Sequence, residues 1–585
     1  MSHHRLVTWS FAALLILLGL SILAVVFIPY ATMKIVLNLL ARDGNLSILK
    51  PENAIAFRFL ISIFSFSILG LAYLIGMRRW EVVVNFFKQL WKDCRSYLLI
   101  INPTRVEKSF LGALLVVVVL AVIRRLAFIE APMMHDEAYA VMSFSDTIFH
   151  AITDYSLPNN HIFHTILVNL SVRLFGFASW TVRLPAFVAG VLIVPGVYLL
   201  AKRIYDPWTG LVASLLTAFA PVLINYSTNA RGYTLVALFT LIILILGDYV
   251  RRKRNLFAWG LISIFSALGL YTVPVMLFPL GVLFTWLFLE NLVANTASYS
   301  SKWEFFRYWL FTGLIAVFLT VLFYTPILIY TGPHDLFANG FVAPLPWGDL
   351  LDTWNARFIE TWREWTLGVP LAIIITMVAG WILGLIFHRK LSKTRIPLQL
   401  ASFLWIASLL FIQRPNAWAK VWVFLFPIML IWAVAGVVGL MRNVRFKFAH
   451  SISLAAIVTS VLLLVGVWSS IQLVPKLPGL WASHGDVENA VLFLKNYVNE
   501  TDLIVVDWPD DSPTWFYSLE YGINNSHFDK RIPYHRALVL VNQAEGQTLE
   551  SVLADRGPDI PPLDLTSARL LQKFGTRQVF ECSAK

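Results

Sequence analysis

The chain has 585 residues, 58% of them hydrophobic, and only 14% are Asp, Glu, Lys or Arg, against about 25% in soluble domains. A soluble protein of this length cannot hide so much apolar surface, whereas a bilayer can, because a spanning helix needs about 20 mostly apolar residues. The net charge of +12 would suggest nucleic acid in a soluble chain. Here it sits in short loops (Arg78-Arg79, Arg251 to Arg254, His388-Arg389-Lys390), as Lys and Arg do on the cytoplasmic side of membrane proteins, so no nucleic-acid partner is expected.

The first apolar stretch, Leu14 to Tyr30, follows a basic start and has no small-x-small cleavage pattern after it, so it is predicted as a retained span. Spans are predicted near 8–30, 54–76, 109–129, 183–203, 208–227, 231–250, 256–272, 273–292, 307–330, 367–388, 396–413, 418–441 and 449–474. The apolar stretch 161–176 is short and contains Arg173. If it crossed fully, Lys202-Arg203 and the Arg251–Arg254 cluster would face outside, against the positive-inside bias. Read as juxtamembrane, it leaves about 13 spans and puts 130–182, the turn at Asn229-Ala230-Arg231, 331–366 and Gln413–Trp418 together on the outer side. Cys94 and Cys582 then lie on opposite sides, and neither zinc spacing nor a disulfide framework exists.

The tail from 476 is polar. Strand-like runs at Asp502–Asp507 and Arg536–Val541 are flanked by helical patterns at Val487–Val498, Gln547–Asp555 and Ser567–Phe574, which suggests a partly parallel α/β unit. The predicted fold is therefore a polytopic α-helical membrane protein with a small C-terminal α/β soluble domain. Three regions are expected: 1–107, with two spans and a basic cytoplasmic segment; 108–475, the main transmembrane region with outer loops 130–182 and 331–366; and 476–585 on the outer face.

The sharpest chemical constellation is His135-Asp136-Glu137 at the outer end of the third span. Adjacent carboxylates at an apolar membrane edge are costly unless paired or used, and partial burial raises a carboxyl toward the range of a general base. A solvated loop start is the plain structural alternative. In Asp154 to His164, Pro158 and Asn159 suit a turn before a helix, which puts His161 and His164 one turn apart on one face. They could bind a divalent metal with Asp136 or Glu137, donate to a phosphate, or simply be hydrogen-bonded interfacial histidines. Arg183 and Arg231 at membrane depth call for an anion such as a lipid phosphate, or snorkel to the interface; Gly232 permits close backbone approach. Arg414 is a further outer-side anion contact. Trp354, Phe358, Trp362 and Trp365 form one apolar helical face, expected to anchor at the interface or to cover a lipid-linked substrate.

These motifs in order, His135-Asp136-Glu137, Pro158-Asn159-Asn160-His161, Phe175-Gly176, Trp180, Arg183-Leu184-Pro185 and Ala230-Arg231-Gly232-Tyr233, resemble membrane glycosyltransferases of the GT-C type. The nearest group is the glycosyltransferase 39-like one, related to protein O-mannosyltransferases and the lipid A aminoarabinose transferase. The resemblance covers roughly 109–330. It departs at the added segment 1–107 and at Asn159-Asn160-His161, where the group usually has His-Pro-Pro. It implies a polyprenyl-phosphate sugar donor used on the outer face of a bacterial plasma membrane, and a glycan, lipid or protein acceptor. It also implies an acidic catalytic residue in the first outer loop, which falls on Asp136 with Glu137 beside it. Arg231, Arg183, His161 and Arg414 are then the expected donor-phosphate contacts, and His135, Asp154, Asn160, His164 and Tyr233 further site candidates. Members of the group work with and without a divalent metal, so none is assigned; His161 and His164 are the candidates. The competing class is a transporter or lipid flippase, which would keep ionisable groups near the midplane at broken helices.

Overall fold

Helices dominate the computed structural model, which describes residues 3–41, 51–74, 80–101, 108–293, 298–332, 336, 343–443, 485–528, 533–556 and 563–584. Among the described residues, five helices are long and apolar enough to cross a membrane, or eight if each of three bent pairs is one span. Shorter apolar helices at Ile162–Phe175, Leu256–Thr272, Leu398–Gln413 and Phe426–Met441 pack among them. The chain is thus a multi-pass membrane protein. The predicted span 449–474 lies outside the described residues.

Prolines decide where two predicted spans bend. The stretch 8–30 continues into a second helix, Tyr30–Ala41, turned by 107° just past Pro29. The stretch 208–227 is two helices, Pro207–Phe219 and Pro221–Ser227, at 62°. Pro221 has no N–H to continue the first helix and drives Ala220 into extended backbone, φ −63° and ψ 118°. The break frees carbonyls of the last turn, and the buried Arg125 donates to one of them, Ala218 O at 3.1 Å, and to the Ser227 hydroxyl of the second helix at 3.1 Å. The predicted span 418–441 is helical only from Phe426; Ala419–Trp422 before it is a 3₁₀ turn.

Helix Phe426–Asn443 lies tight against Leu371–Ile386. A methyl group on Gly380 would stand 2.3 Å from Ala433 O, and one on Gly436 only 1.8 Å from Gly380 O. Small residues at such a crossing let two backbones meet, which is how helices associate where lipid offers no hydrophobic drive.

The basic loops gather at one end of the bundle. Asp248, wholly buried, accepts from Arg203, Arg251 and Arg252 at 2.7 to 2.9 Å. Glu290 accepts from the Ile396 amide, and Lys393 Nζ donates to Lys202 O. Helix Tyr233–Arg252 starts beside Arg231 and ends in this cluster; its 20 residues span about 30 Å. The acidic motif at 135–137 and the basic cluster therefore occupy opposite ends.

The tail holds a four-stranded mixed sheet in the order β1 (Asp502–Val506), β2 (Arg536–Asn542), β4 (Arg577–Ala584), β3 (Leu563–Phe574). β1 and β2 are parallel, joined through helix Asp511–Tyr521. The helical pattern predicted at Ser567–Phe574 is corrected: that stretch is in β3, paired antiparallel with β4 across a tight turn in which Gly575 takes φ +54°. Its apolar spacing suits either element, and pairing with β4 decides it. A shared core sews the tail to the membrane part: Met133, Val141, Val168 and Val182 pack with Val487, Leu494, Phe516 and Leu538.

Candidate active site

Helix His135–Phe144 begins after extended Met134, with Asp136 and Glu137 in its first turn, where the helix dipole favours negative charge. Successive helical residues point about 100° apart. The two carboxylates accordingly go to different places.

Glu137 turns inward and is fully buried. Arg183 binds it with both faces of the fork, Nε to Oε1 at 2.7 Å and Nη2 to Oε2 at 2.8 Å, and the Ala230 amide donates to Oε1 at 2.6 Å. The remaining N–H groups of Arg183 go to the Ile129 and Ala131 carbonyls and toward Met133 Sδ. Two expectations are corrected here. Arg183 has no donor left for a phosphate, and Glu137 has no oxygen open to a substrate; together they clamp the acidic helix to helix Ser179–Ile204 and to the 229–232 turn.

Asp136 turns outward, with 49% of its side chain exposed. Its Oδ2 meets Arg231 Nη1 at 3.0 Å and Lys420 Nζ at 2.8 Å. Burial pushes the carboxyl up, but Arg231 and Lys420 outweigh it and hold the group at about 2. Arg231 is 4% exposed, donates toward Tyr233 Oη and lies over the Tyr233 ring at 5.5 Å. Its Nε is buried with no hydrogen-bond partner among the described residues. The turn below it is held by His161, whose Nδ1 accepts from the Gly232 amide at 2.8 Å. A side chain on Gly232 would run into Thr272 at 2.5 Å, so glycine is what allows this approach.

His161 and His164 do not form a metal ligand set. Nδ1 of His161 is taken by Gly232 and its Nε2 faces Arg231 at 3.5 Å; burial, then Arg231, pushes its pKa well down. His164 is buried, its Nε2 without a partner among the described residues. Among those residues no three His, Cys, Asp or Glu side chains group as ligands. Asp154 and Asn160 serve the turn: Asp154 accepts from the Ser156 amide, and Asn160 Nδ2 donates to the Ala151 and Asp154 carbonyls. Arg414, a predicted anion contact, makes its described contacts with the 345–347 segment. It caps helix Leu398–Gln413 in the left-handed region, φ 46°, with its guanidinium 4.6 Å over the Trp347 ring. His135 faces the tail, where Asp511 Oδ1 lies at 3.1 Å from Nδ1 and Pro509 O at 3.2 Å.

Lys420 is the residue that sequence reading missed. The available signal was a lone Lys just inside a span on the predicted outer side, where the positive-inside bias disfavours one. Ala417 and Trp422, on either side of it in the chain, line a cavity of about 750 Å³ whose surface is mostly apolar. Its walls come from helix Leu350–Thr366 (Trp354, Phe358, Trp362), the Gly380 crossing (Met377, Trp381) and Trp422. The aromatic face predicted to rest at the interface thus borders this cavity. One cluster containing Trp365, Tyr226 and Tyr233 joins its wall to the Arg231 platform. Glu364 hydrogen-bonds to Tyr226, and burial raises its carboxyl.

Residues 160–327 match the family model for dolichyl-phosphate-mannose-protein mannosyltransferase. Among solved structures, ArnT from Cupriavidus metallidurans in the apo state is similar at 13% identity and a TM-score of 0.50, over 80% of this chain and 98% of that one. The same protein bound to undecaprenyl phosphate aligns at 13% identity and a TM-score of 0.47, over 81% and 97%. The Archaeoglobus fulgidus oligosaccharyltransferase aligns at 11% identity and a TM-score of 0.43, over 73% of this chain and 67% of its own. No curated protein sequence matches the chain.

Proposed function

We propose that this chain, a membrane protein of the GT-C type with a protein-mannosyltransferase-like segment, moves a sugar from a polyprenyl-phosphate donor to an acceptor hydroxyl on the outer face of a bacterial plasma membrane. The observation that carries this is Asp136: a half-exposed carboxylate shared by Arg231 and Lys420, with Tyr233 next to Arg231 packed in one cluster with Trp365 and Phe426 of the apolar cavity's wall. The basic cluster around Asp248 lies at the opposite end, which by the positive-inside bias supports an outer-facing site.

In this reading the donor's isoprenoid end occupies the cavity, whose volume falls within the ordinary range of ligand sites. The phosphate meets Arg231, with the unpartnered Nε ready to donate, and Lys420. As the C1–O bond to phosphate breaks, the sugar gains oxocarbenium character and the leaving phosphate gains charge, which the two cations neutralise in place. The acceptor oxygen forms the new bond to C1 and gives its proton to Asp136. Polyprenyl phosphate is released.

Donor binding also sets the strength of the base. With both cations on its Oδ2, Asp136 is held at about 2 and is a poor proton acceptor. A phosphate that draws Arg231 and Lys420 away lets the carboxyl rise toward its ordinary value near 3.9 and beyond. The base is thereby strengthened when the donor is present and stays weak in its absence.

The test is transfer in proteoliposomes from radiolabelled polyprenyl-phosphate sugars by wild type and Asp136→Asn, with and without chelator. Transfer by wild type and loss in the variant, with the fold kept, supports the reading. Equal behaviour of the two proteins would overturn it in favour of transport.

A further inference from the structure

Trp508 is the least expected residue near the site. It stands in the loop between β1 and helix Asp511–Tyr521, and 59% of it is exposed. Burying a large apolar side chain is favourable, so an open indole on a loose loop would fold away. This loop is pinned on three sides. Asp510 is buried in a bidentate pair with Arg577 at 2.7 and 2.8 Å, Gln547 Nε2 donates to Trp508 O at 2.8 Å, and Pro509 O lies 3.2 Å from His135 Nδ1.

The pinned indole faces the acidic helix. Its ring lies 6.1 Å from that of His135 at 69°, and His135 in turn stacks on Tyr139 at 6.1 Å. Tyr139 is one helical turn beyond Asp136. An aromatic strip therefore runs from the tail to the proposed base, rimmed by the Asp511 carboxylate and the His135 imidazole. None of Trp508, His135 and Tyr139 lines the cavity assigned to the donor, which leaves this strip to the acceptor.

We infer that the tail supplies the acceptor subsite and that the acceptor is a sugar, its apolar C–H face stacked on Trp508 and one hydroxyl directed at Asp136. This rests on the glycosyltransferase reading above. An indole held rigid and open suits a pyranose ring, with one broad apolar face and hydroxyls around its edge; the polar rim supplies hydrogen-bond partners for those hydroxyls.

The experiment offers octyl glycosides of mono- to trisaccharides, and separately a Ser/Thr peptide, to full-length protein in proteoliposomes carrying labelled polyprenyl-phosphate sugars. Wild type, Trp508→Phe, Trp508→Leu and Trp508→Ala are compared. The expected result is transfer to glycosides, an acceptor KM about tenfold higher for Leu and Ala, near wild type for Phe, and a donor KM unchanged in all. If Leu performs like Phe, the side chain is a membrane anchor and the inference falls. A shift confined to the donor KM, or transfer to the peptide alone, also overturns it. Absence of any transfer by wild type overturns the glycosyltransferase reading and takes this inference with it.

Discussion

Asp136 and Glu137 are neighbours in sequence, each paired with an arginine, and they have opposite fates. Glu137 and Arg183 are almost completely buried and saturated: the carboxylate takes three N–H donors, and the guanidinium reaches three further carbonyls. Asp136 and Arg231 are unsaturated. The carboxylate is half open, shares one oxygen between two cations, and faces a guanidinium that keeps an idle Nε. A closed pair holds elements together, and an open pair can exchange partners with a substrate. Arg183 was expected to hold phosphate with Arg231; geometry instead gives it the task of placing the helix on which Asp136 sits.

The contrast can be broken most forcefully at the open pair. Asp136→Asn removes the proton acceptor and should cut turnover about 10²–10⁴-fold, measured as sugar transfer, with the detergent melting temperature nearly unchanged. Glu137→Gln should do the reverse damage. It leaves Arg183 buried beside a neutral amide, and breaking such a pair costs about 3–5 kcal/mol, visible as lost expression or a lower melting temperature.

Lys420→Met sharpens the comparison through pH. Asp136 works deprotonated, above its pKa, so at about 2 its acid limb in kcat/KM lies below the working range of the wild type. Removing one cation should raise that pKa toward about 3.9 and bring the limb into view, while donor KM rises about tenfold. A profile identical to wild type would remove Lys420 from the site.

The smallest effect belongs to His135. Burial lowers its pKa, but the contact with Asp511 outweighs that and leaves the group raised above about 6.5. A raised histidine stabilises fully below the unfolded value and loses that stability as pH climbs through the folded one. The pair is partly exposed, so the effect should be about 0.2–1 kcal/mol. The melting temperature should fall slightly above pH 6.5 in wild type and lose that slope in Asp511→Asn.

Hydropathy and loop charge are local quantities summed over about 20 residues, so the membrane class, most helix positions and the grouping of the basic loops at 202–203, 251–252 and 393 at one end were legible before folding. Asp136 and Arg231 came forward because each breaks an apolar context, His161 by its place at the turn before a helix, and Tyr233 with the Ala230-Arg231-Gly232-Tyr233 motif of the family resemblance. Which of two adjacent carboxylates turns outward was not legible in the sequence, since that depends on the rotation of one short helix against Arg183 and Ala230. Lys420, 284 residues from Asp136, became a partner only through folding. The same holds for β3, whose apolar spacing fits helix or strand until β4 lies beside it, and for Trp508, an ordinary loop residue until the tail docks and sets it beside His135.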